Sequence, residues 1–224
     1  MKKRIKLADR QLPTYSKGEE IFNMVSHIVG GALGIVALVL CVITAAMGHS
    51  AIGVVSSCIY GVTLIILYTM SSIYHGLRPG MGKKVMQILD HCTIYFLIAG
   101  SYTPVLLVAM RSKYPVLAWS LFGIVWGCAV IACVLTAIDL KKYSVFSMIC
   151  YLAMGWAIIF FLKQTYEVMG AGGVIFLVSG GVSYTVGSIL YGLGKNHKWM
   201  HSIFHLFILA GSVLHFFAII LYAL

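Results

Sequence analysis

Apolar residues occupy most of this chain in long runs, and short polar breaks separate one run from the next. Seven such runs lie at about 22–46, 52–75, 86–109, 115–138, 144–162, 171–194 and 199–223. Each is close to the ~20 residues that an α-helix needs to cross a bilayer. The pattern predicts an all-α membrane protein built as a seven-transmembrane helix bundle. The fifth run is the shortest, because Lys163 and Gln164 end it early.

The polar residues at the start divide the chain into two parts. Residues 1–18 form a polar tail, and residues 19–224 form the transmembrane domain. The basic residues predict the orientation, because Lys and Arg are enriched in cytoplasmic loops. Thirteen of the 16 Lys and Arg residues lie on the side of the tail and three on the other. We therefore expect a cytoplasmic N-terminus and an extracytoplasmic C-terminus.

Composition excludes a soluble domain. Hydrophobic residues make up 61% of the 224 residues and charged residues 10%, and the mean hydropathy is +0.97. A soluble protein cannot cover that much apolar surface. The net charge of +10 comes from residues that flank the apolar runs, so we predict membrane lipids, and not nucleic acid, as partners. The six cysteines lie inside apolar runs without a C-x-x-C, which favours packing over disulfides.

Ionisable residues inside the predicted spans are few, and because such residues are costly in a membrane they are candidates for a function. Six of them fall at one depth near the cytoplasmic end once the spans are placed in order: His27, His75, Asp90, His91, His201 and His205. A further histidine, His215, lies deeper. The shared depth predicts a site built between helices.

Two of these histidines have the spacing of metal ligands. His201 and His205 are four residues apart, which puts both imidazoles on one face of a helix. Three imidazoles with a water form a recurrent catalytic zinc site, and a nearby carboxylate such as Asp90 can hold or deprotonate that water. The set favours a metal site, although each histidine alone could be an interfacial residue. Asp90 could instead form an ion pair with Lys83 or Lys84.

A second polar stripe lies on the first predicted helix. Glu20, Asn23 and His27 follow one another at i, i+3 and i+7 and so share a face. They are candidates for groups that surround the metal ligands or carry protons. Glu20 and Asn23 could equally be a polar cap at the start of the helix.

Several motifs occur together along the chain. They are Glu20-x-x-Asn23-x-x-x-His27, Ser71-x-x-x-His75, Asp90-His91-x-x-Ile94, the segment 99–104 (AGSYTP) and His201-x-x-x-His205. Each alone is unspecific, but the combination resembles the bacterial hemolysin III family of the progestin and adipoQ receptor (PAQR) superfamily. The resemblance covers essentially the whole chain from Glu20 onward.

The resemblance implies a multi-pass protein of the bacterial cell membrane, with the N-terminus inside. It implies Zn²⁺ bound by His75, His201 and His205, with Asp90 and Ser71 as catalytic residues beside a zinc-bound water. His27 and His91 belong to the bacterial pattern, which does not fix their role. His91, like Glu20, Asn23 and His27, is a candidate for a group that surrounds the metal ligands.

Two functions follow as hypotheses. Related eukaryotic members and the more distant alkaline ceramidases are linked to hydrolysis of lipid amides, so the first hypothesis is a zinc-dependent hydrolase acting on a membrane lipid near the cytoplasmic leaflet. The alternative is a non-enzymatic sensor or homeostasis factor with a structural zinc, or a protein associated with haemolysis and cytolysis. The sequence offers no further catalytic acid and no oxyanion donor, which supports the alternative.

Overall fold

The computed structural model describes residues 6–194 and 197–224, and over these residues it is helical without any strand. The helices are α1 (Lys17–Met47), α2 (Ala51–Gly76), α3 (Met81–Pro104), α4 (Pro115–Ile138), α5 (Ser144–Trp156), α6 (Leu162–Leu193) and α7 (Met200–Tyr222). A π-helical turn at Val105–Ala109 extends α3, and a 3₁₀ turn at Ala157–Phe161 joins α5 to α6. The predicted all-helical class is confirmed.

Helix α1 begins before the apolar run that predicted it. The Ser16 hydroxyl accepts a hydrogen bond from the Glu19 N–H, and the Glu19 carboxylate accepts one from the Ser16 N–H at 2.9 Å. This capping box satisfies free N–H groups at the helix start. It adds a polar first turn, which contains Glu20, to a helix that the hydrophobic pattern places from residue 22.

Six helical segments among the described residues are long and apolar enough to cross a membrane. The segment Ser144–Leu193 has 50 residues and includes α5 and α6. Gly170 interrupts it with φ 67° and ψ −178°, a conformation that is essentially restricted to glycine. The break lies where the sequence separates the fifth and sixth spans. The seven-span count and the orientation remain predictions.

The expected early end of the fifth span at Lys163 and Gln164 is wrong. Helix α6 runs through both residues and is not interrupted before Gly170. Lys163 is exposed and Gln164 is half-buried. A long polar side chain on the outer face of a bundle can extend toward the membrane surface, so it does not end a helix.

The first and last helices are neighbours in the bundle. α1 packs mainly along α2, α6 packs mainly along α7, and α1 also contacts α7. Small residues let these helices approach closely, as at Gly30, where an added Cβ would lie 2.6 Å from the Tyr68 ring. The closed arrangement brings the start of α7 beside the start of α1 and the end of α2.

The described part of the polar tail lies against this end of the bundle. Arg10 is only 8% exposed and donates a hydrogen bond to the Gln87 side chain on α3. Lys84 donates to the carbonyl of Ala8. A segment that sequence alone describes as a polar extension is therefore folded over the bundle.

Candidate metal centre

Three imidazoles from two helices converge near the start of α7. The His201 Nε2 lies 3.2 Å from the His75 Nε2 and 2.9 Å from the His205 Nε2. His75 comes from the last turn of α2, whereas the other two come from the first turns of α7. One ligand atom from each of the three lies within 4.8 Å of the others, so the cluster can hold a metal ion.

The spacing of these nitrogens fits one ion. Zinc binds histidine nitrogens at about 2.0–2.1 Å in tetrahedral geometry, so two such ligands stand about 3.4 Å apart. The observed 2.9 and 3.2 Å separations are close to that value. Imidazole nitrogens this close either share a proton in a hydrogen bond or bind a common cation. Imidazole also suits copper, iron and nickel, so the geometry fits a metal without identifying it.

His75 differs from the other two imidazoles in what holds its second nitrogen. Its Nδ1 lies 2.7 Å from Glu20 Oε2, and Glu20 Oε1 accepts from Lys83 Nζ at 2.6 Å. Among the described residues, the buried Nδ1 atoms of His201 and His205 have no hydrogen-bond partner. Glu20, one of the predicted surrounding groups, thus contacts a member of the cluster. Lys83 was not among the predicted site residues.

Asp90, Ser71 and His91 line one cavity together with His201 and His205. The predicted alternative for Asp90, an ion pair with Lys83 or Lys84, is not found, because Lys83 pairs with Glu20 and Lys84 bonds the tail. Asp90 Oδ2 lies 3.8 Å from Nδ1 of its neighbour His91, which is charged only when protonated. That same Nδ1 lies 2.8 Å from the Gln87 carbonyl, which is the closer contact.

His27 packs on the cluster without a hydrogen bond to it. Its ring centroid is 3.8 Å from that of His205 and 5.0 Å from that of Tyr68, which it meets edge-on. The Tyr68 hydroxyl donates to Ser212 at 2.8 Å. Both His27 nitrogens and both polar side-chain atoms of Asn23 are buried without a partner among the described residues. The predicted stripe on α1 therefore faces the site.

The cavity beside the cluster has a volume of about 130 Å³ and extends along the bundle. It reaches from His201 to His215, and these positions stand about 21 Å apart along α7 at 1.5 Å per residue. Most of its wall is apolar. The apolar lining includes Leu67, Ile94, Leu97, Ile98, Met148, Leu152, Phe204 and Ile208. His201, His205 and Asp90 line one end, and further polar side chains such as Ser101, Tyr184 and Thr185 line the rest.

The tail makes two contacts at this end of the bundle that sequence reasoning missed, one by Tyr15 and one by Arg10 with Gln87. The Tyr15 ring stacks on His201 at 4.8 Å between centroids and 17° between planes. Burial raises the pKa of the Tyr15 hydroxyl above its usual range, so the phenol is neutral. Burial likewise lowers the pKa of the Arg10 guanidinium, with opposing effects from Tyr74 and Asp139. No spacing in the sequence indicates either contact, because both join segments far apart along the chain.

Comparison of the sequence with known proteins gives one family match and several similar proteins. The family described as "Haemolysin-III related" matches residues 15–216. The chain is 37% identical over 206 residues to "Hemolysin-3" of Bacillus cereus, with 92% of each chain covered. It is 38% identical over 204 residues to the "Hemolysin-3 homolog" of Bacillus subtilis (strain 168), covering 91% of this chain and 94% of the relative.

A more distant match comes from animals. The chain is 27% identical over 172 residues to the "Monocyte to macrophage differentiation factor" of Homo sapiens. The match covers 74% of this chain and 69% of the human protein. The matched family region includes all three histidines of the cluster, together with Glu20 and Asp90.

Proposed function

This chain belongs to the haemolysin-III-related family of the PAQR superfamily and is a multi-pass membrane protein, and we propose that it is a zinc-dependent hydrolase of a membrane lipid in the bacterial plasma membrane. One observation carries the proposal. Three imidazole nitrogens lie within 4.8 Å of one another, and two of the rings, His201 and His205, line a largely apolar cavity. Such a cavity suits a ligand that has an apolar chain and a polar group able to reach the histidines.

His75, His201 and His205 would hold the ion. A zinc ion with three histidine ligands supplies Lewis acidity and lowers the pKa of coordinated water to about 7. Asp90 lines the same cavity, and we assign its carboxylate as the base that accepts a proton from the attacking water. Ser71 lies one helical turn before His75 and also lines the cavity, so its hydroxyl is assigned to bind the polar end of the lipid.

The apolar walls define the substrate class. A lipid chain lying against Leu67, Ile94 and Ile208 would leave its carbonyl group at the end where the histidines and Asp90 are found. Excluding water along the chain strengthens the electrostatic interactions at the reacting group. We propose an amide-linked acyl chain as the first substrate to test. The predicted topology would open this end toward the cytoplasmic leaflet.

Lipid hydrolysis by the purified full-length protein tests the proposal. Fluorescent N-acyl and O-acyl lipids in mixed micelles are incubated with protein that is zinc-loaded or stripped by a chelator, and fatty acid release is measured. We expect zinc-dependent release that is lost in His201→Ala and falls by about 10²–10⁴-fold in Asp90→Asn. Asp9→Asn, which removes an exposed tail carboxylate, is the control. Unchanged turnover in Asp90→Asn would remove the proposed base.

A second function is favoured by the contact between Tyr15 and His201. A tail residue that stacks on a ligand would suit a sensor in which metal binding orders the tail, with zinc in a structural role. Bound zinc without hydrolysis of any lipid in the panel would support this alternative. Because two relatives carry the name of haemolysis, lysis of erythrocytes added to expressing cells is measured alongside.

A further inference from the structure

We propose that Glu20, held in place by Lys83, is a positioning residue that presets His75 as the first ligand of the metal centre. The inference rests on the proposed metal site but does not depend on the reaction carried out there. It assigns a role to a contact that joins three helices, since Glu20 lies on α1, His75 on α2 and Lys83 on α3.

The contact selects one form of the imidazole ring. An ionised carboxylate can only accept hydrogen bonds, so the 2.7 Å approach of Glu20 Oε2 to His75 Nδ1 requires a proton on Nδ1. In the neutral ring, Nε2 then carries the lone pair. That nitrogen is the one that faces His201 Nε2 at 3.2 Å. The carboxylate therefore holds His75 in the tautomer that binds a metal through Nε2.

Lys83 has the geometry of a support for the carboxylate. Its Nζ donates to Glu20 Oε1 at 2.6 Å, to the Leu77 carbonyl at 3.1 Å and to the His75 carbonyl at 3.5 Å. An ammonium group has three N–H donors, and each finds one acceptor here. Lys83 is only 3% exposed, and these three acceptors compensate its buried charge. The lysine fixes one carboxylate oxygen and the histidine contacts the other.

The other two ligands lack such a contact. Within the described part of the chain, Nδ1 of His201 and Nδ1 of His205 are buried without a hydrogen-bond partner. No carboxylate or carbonyl of the described residues contacts the Nδ1 atom of either ring. This asymmetry makes His75 the ligand that is preset by a hydrogen bond, whereas the two α7 imidazoles are not.

Metal affinity tests the proposal directly. Zinc binding to the purified full-length protein is measured by competition with a chromophoric chelator at constant pH. We expect Glu20→Gln to weaken binding by about 10–100-fold, the usual loss when a hydrogen-bond partner of a metal-bound histidine is mutated. The single amide oxygen cannot accept from both His75 and Lys83 as the carboxylate does. Glu19→Gln is the matched control, because it removes the same charge one residue away and its partners are Ser16 and Trp199. It should bind zinc as the unmodified protein does.

Two measurements separate positioning from a merely structural role. The visible spectrum of the Co²⁺-loaded protein should change in Glu20→Gln and not in Glu19→Gln, because it reports the ligand field at the ion. Lys83→Met should alter zinc affinity in the unmodified protein but not in the Glu20→Gln background. A direct effect of the lysine charge on the ion would instead be the same in both backgrounds.

The outcomes distinguish this inference from the proposed function. Equal zinc affinity and equal cobalt spectra for folded Glu20→Gln and the unmodified protein would overturn the positioning role and leave the hydrolase proposal standing. Tight, Glu20-dependent zinc binding without lipid hydrolysis would support the positioning role and count against the hydrolase. Failure of the unmodified protein to bind any divalent ion would overturn both.

Discussion

Two adjacent glycines on α1 should respond to the same substitution in opposite ways. A Cβ at Gly30 would lie 2.6, 2.7 and 2.8 Å from three atoms of the Tyr68 ring. Tyr68 is fully buried and is held by its bond to Ser212, so the ring has no free space to move into. At Gly31 the nearest atom is the Tyr68 Cβ at 3.9 Å, an ordinary contact.

The expected change in the free energy of unfolding follows from two opposing effects. Overfilling a packed site costs about 1–3 kcal/mol, and contacts to three atoms of a fixed ring place Gly30→Ala near the upper value. Replacing glycine by alanine in a helix stabilises that helix by at most about 1 kcal/mol. The expected net loss is therefore about 2 kcal/mol for Gly30→Ala. Gly31→Ala should be neutral or gain up to about 1 kcal/mol.

Unfolding of the purified variants in detergent micelles by added SDS measures this difference. The Gly30→Ala curve should shift to lower SDS and the Gly31→Ala curve should not. Tyr68 also contacts His27, which packs on His205, so Gly30→Ala should weaken zinc binding as well. Equal stability of the two variants would refute the reasoning, because it would mean that α1 and α2 do not approach each other at Gly30 as described.

Three further predictions concern the site and the chain around it. Elemental analysis should show that His201→Ala reduces bound zinc from one ion per chain to nearly none, whereas His215→Ala, about 21 Å along the same helix, retains it. Full retention of zinc in His201→Ala would exclude the cluster as the site. Tyr15→Ala should speed the loss of zinc to a chelator because the stacked ring is removed, and Tyr15→Phe should not. Equal rates in these two variants and the unmodified protein would show that the tail does not cover the ion. Gly170→Ala should destabilise the protein by about 1–3 kcal/mol. The cause is backbone strain alone, since no atom lies within 4 Å of the added Cβ, and Gly123→Ala in a regular helix should not destabilise it. Matching SDS unfolding curves for the two variants would mean that the break at Gly170 is absent.

Much of the fold follows from the sequence because the bilayer imposes a simple rule. A spanning helix needs about 20 apolar residues and must satisfy its own backbone hydrogen bonds. The boundaries of α2, α4 and α7 therefore lie within a residue or two of the predicted ones. The rule fails at Lys163 and Gln164, where polar side chains on an outer surface were interpreted as the end of a helix.

The histidine cluster could also be predicted from the sequence. Ionisable residues are rare in membrane helices, so their shared depth was informative, and the i, i+4 spacing put His201 and His205 on one face. The meeting of these two with His75 is confirmed as a cluster that can hold a metal. Zinc as the ion and catalysis by Asp90 and Ser71 stay predictions.

The sequence by itself determined a helical membrane protein and the helix ends near which its ionisable residues lie, because both depend on distance along one helix. Only the tertiary structure decided which groups contact each other across helices. Lys83 could have paired with Asp90, which follows it on α3, but the packing of α1 against α2 brings Glu20 to it instead. Tyr15 reaches His201 because the chain folds back over the bundle. Such contacts depend on how helices rotate and approach, and the spacing along one helix carries no information about that.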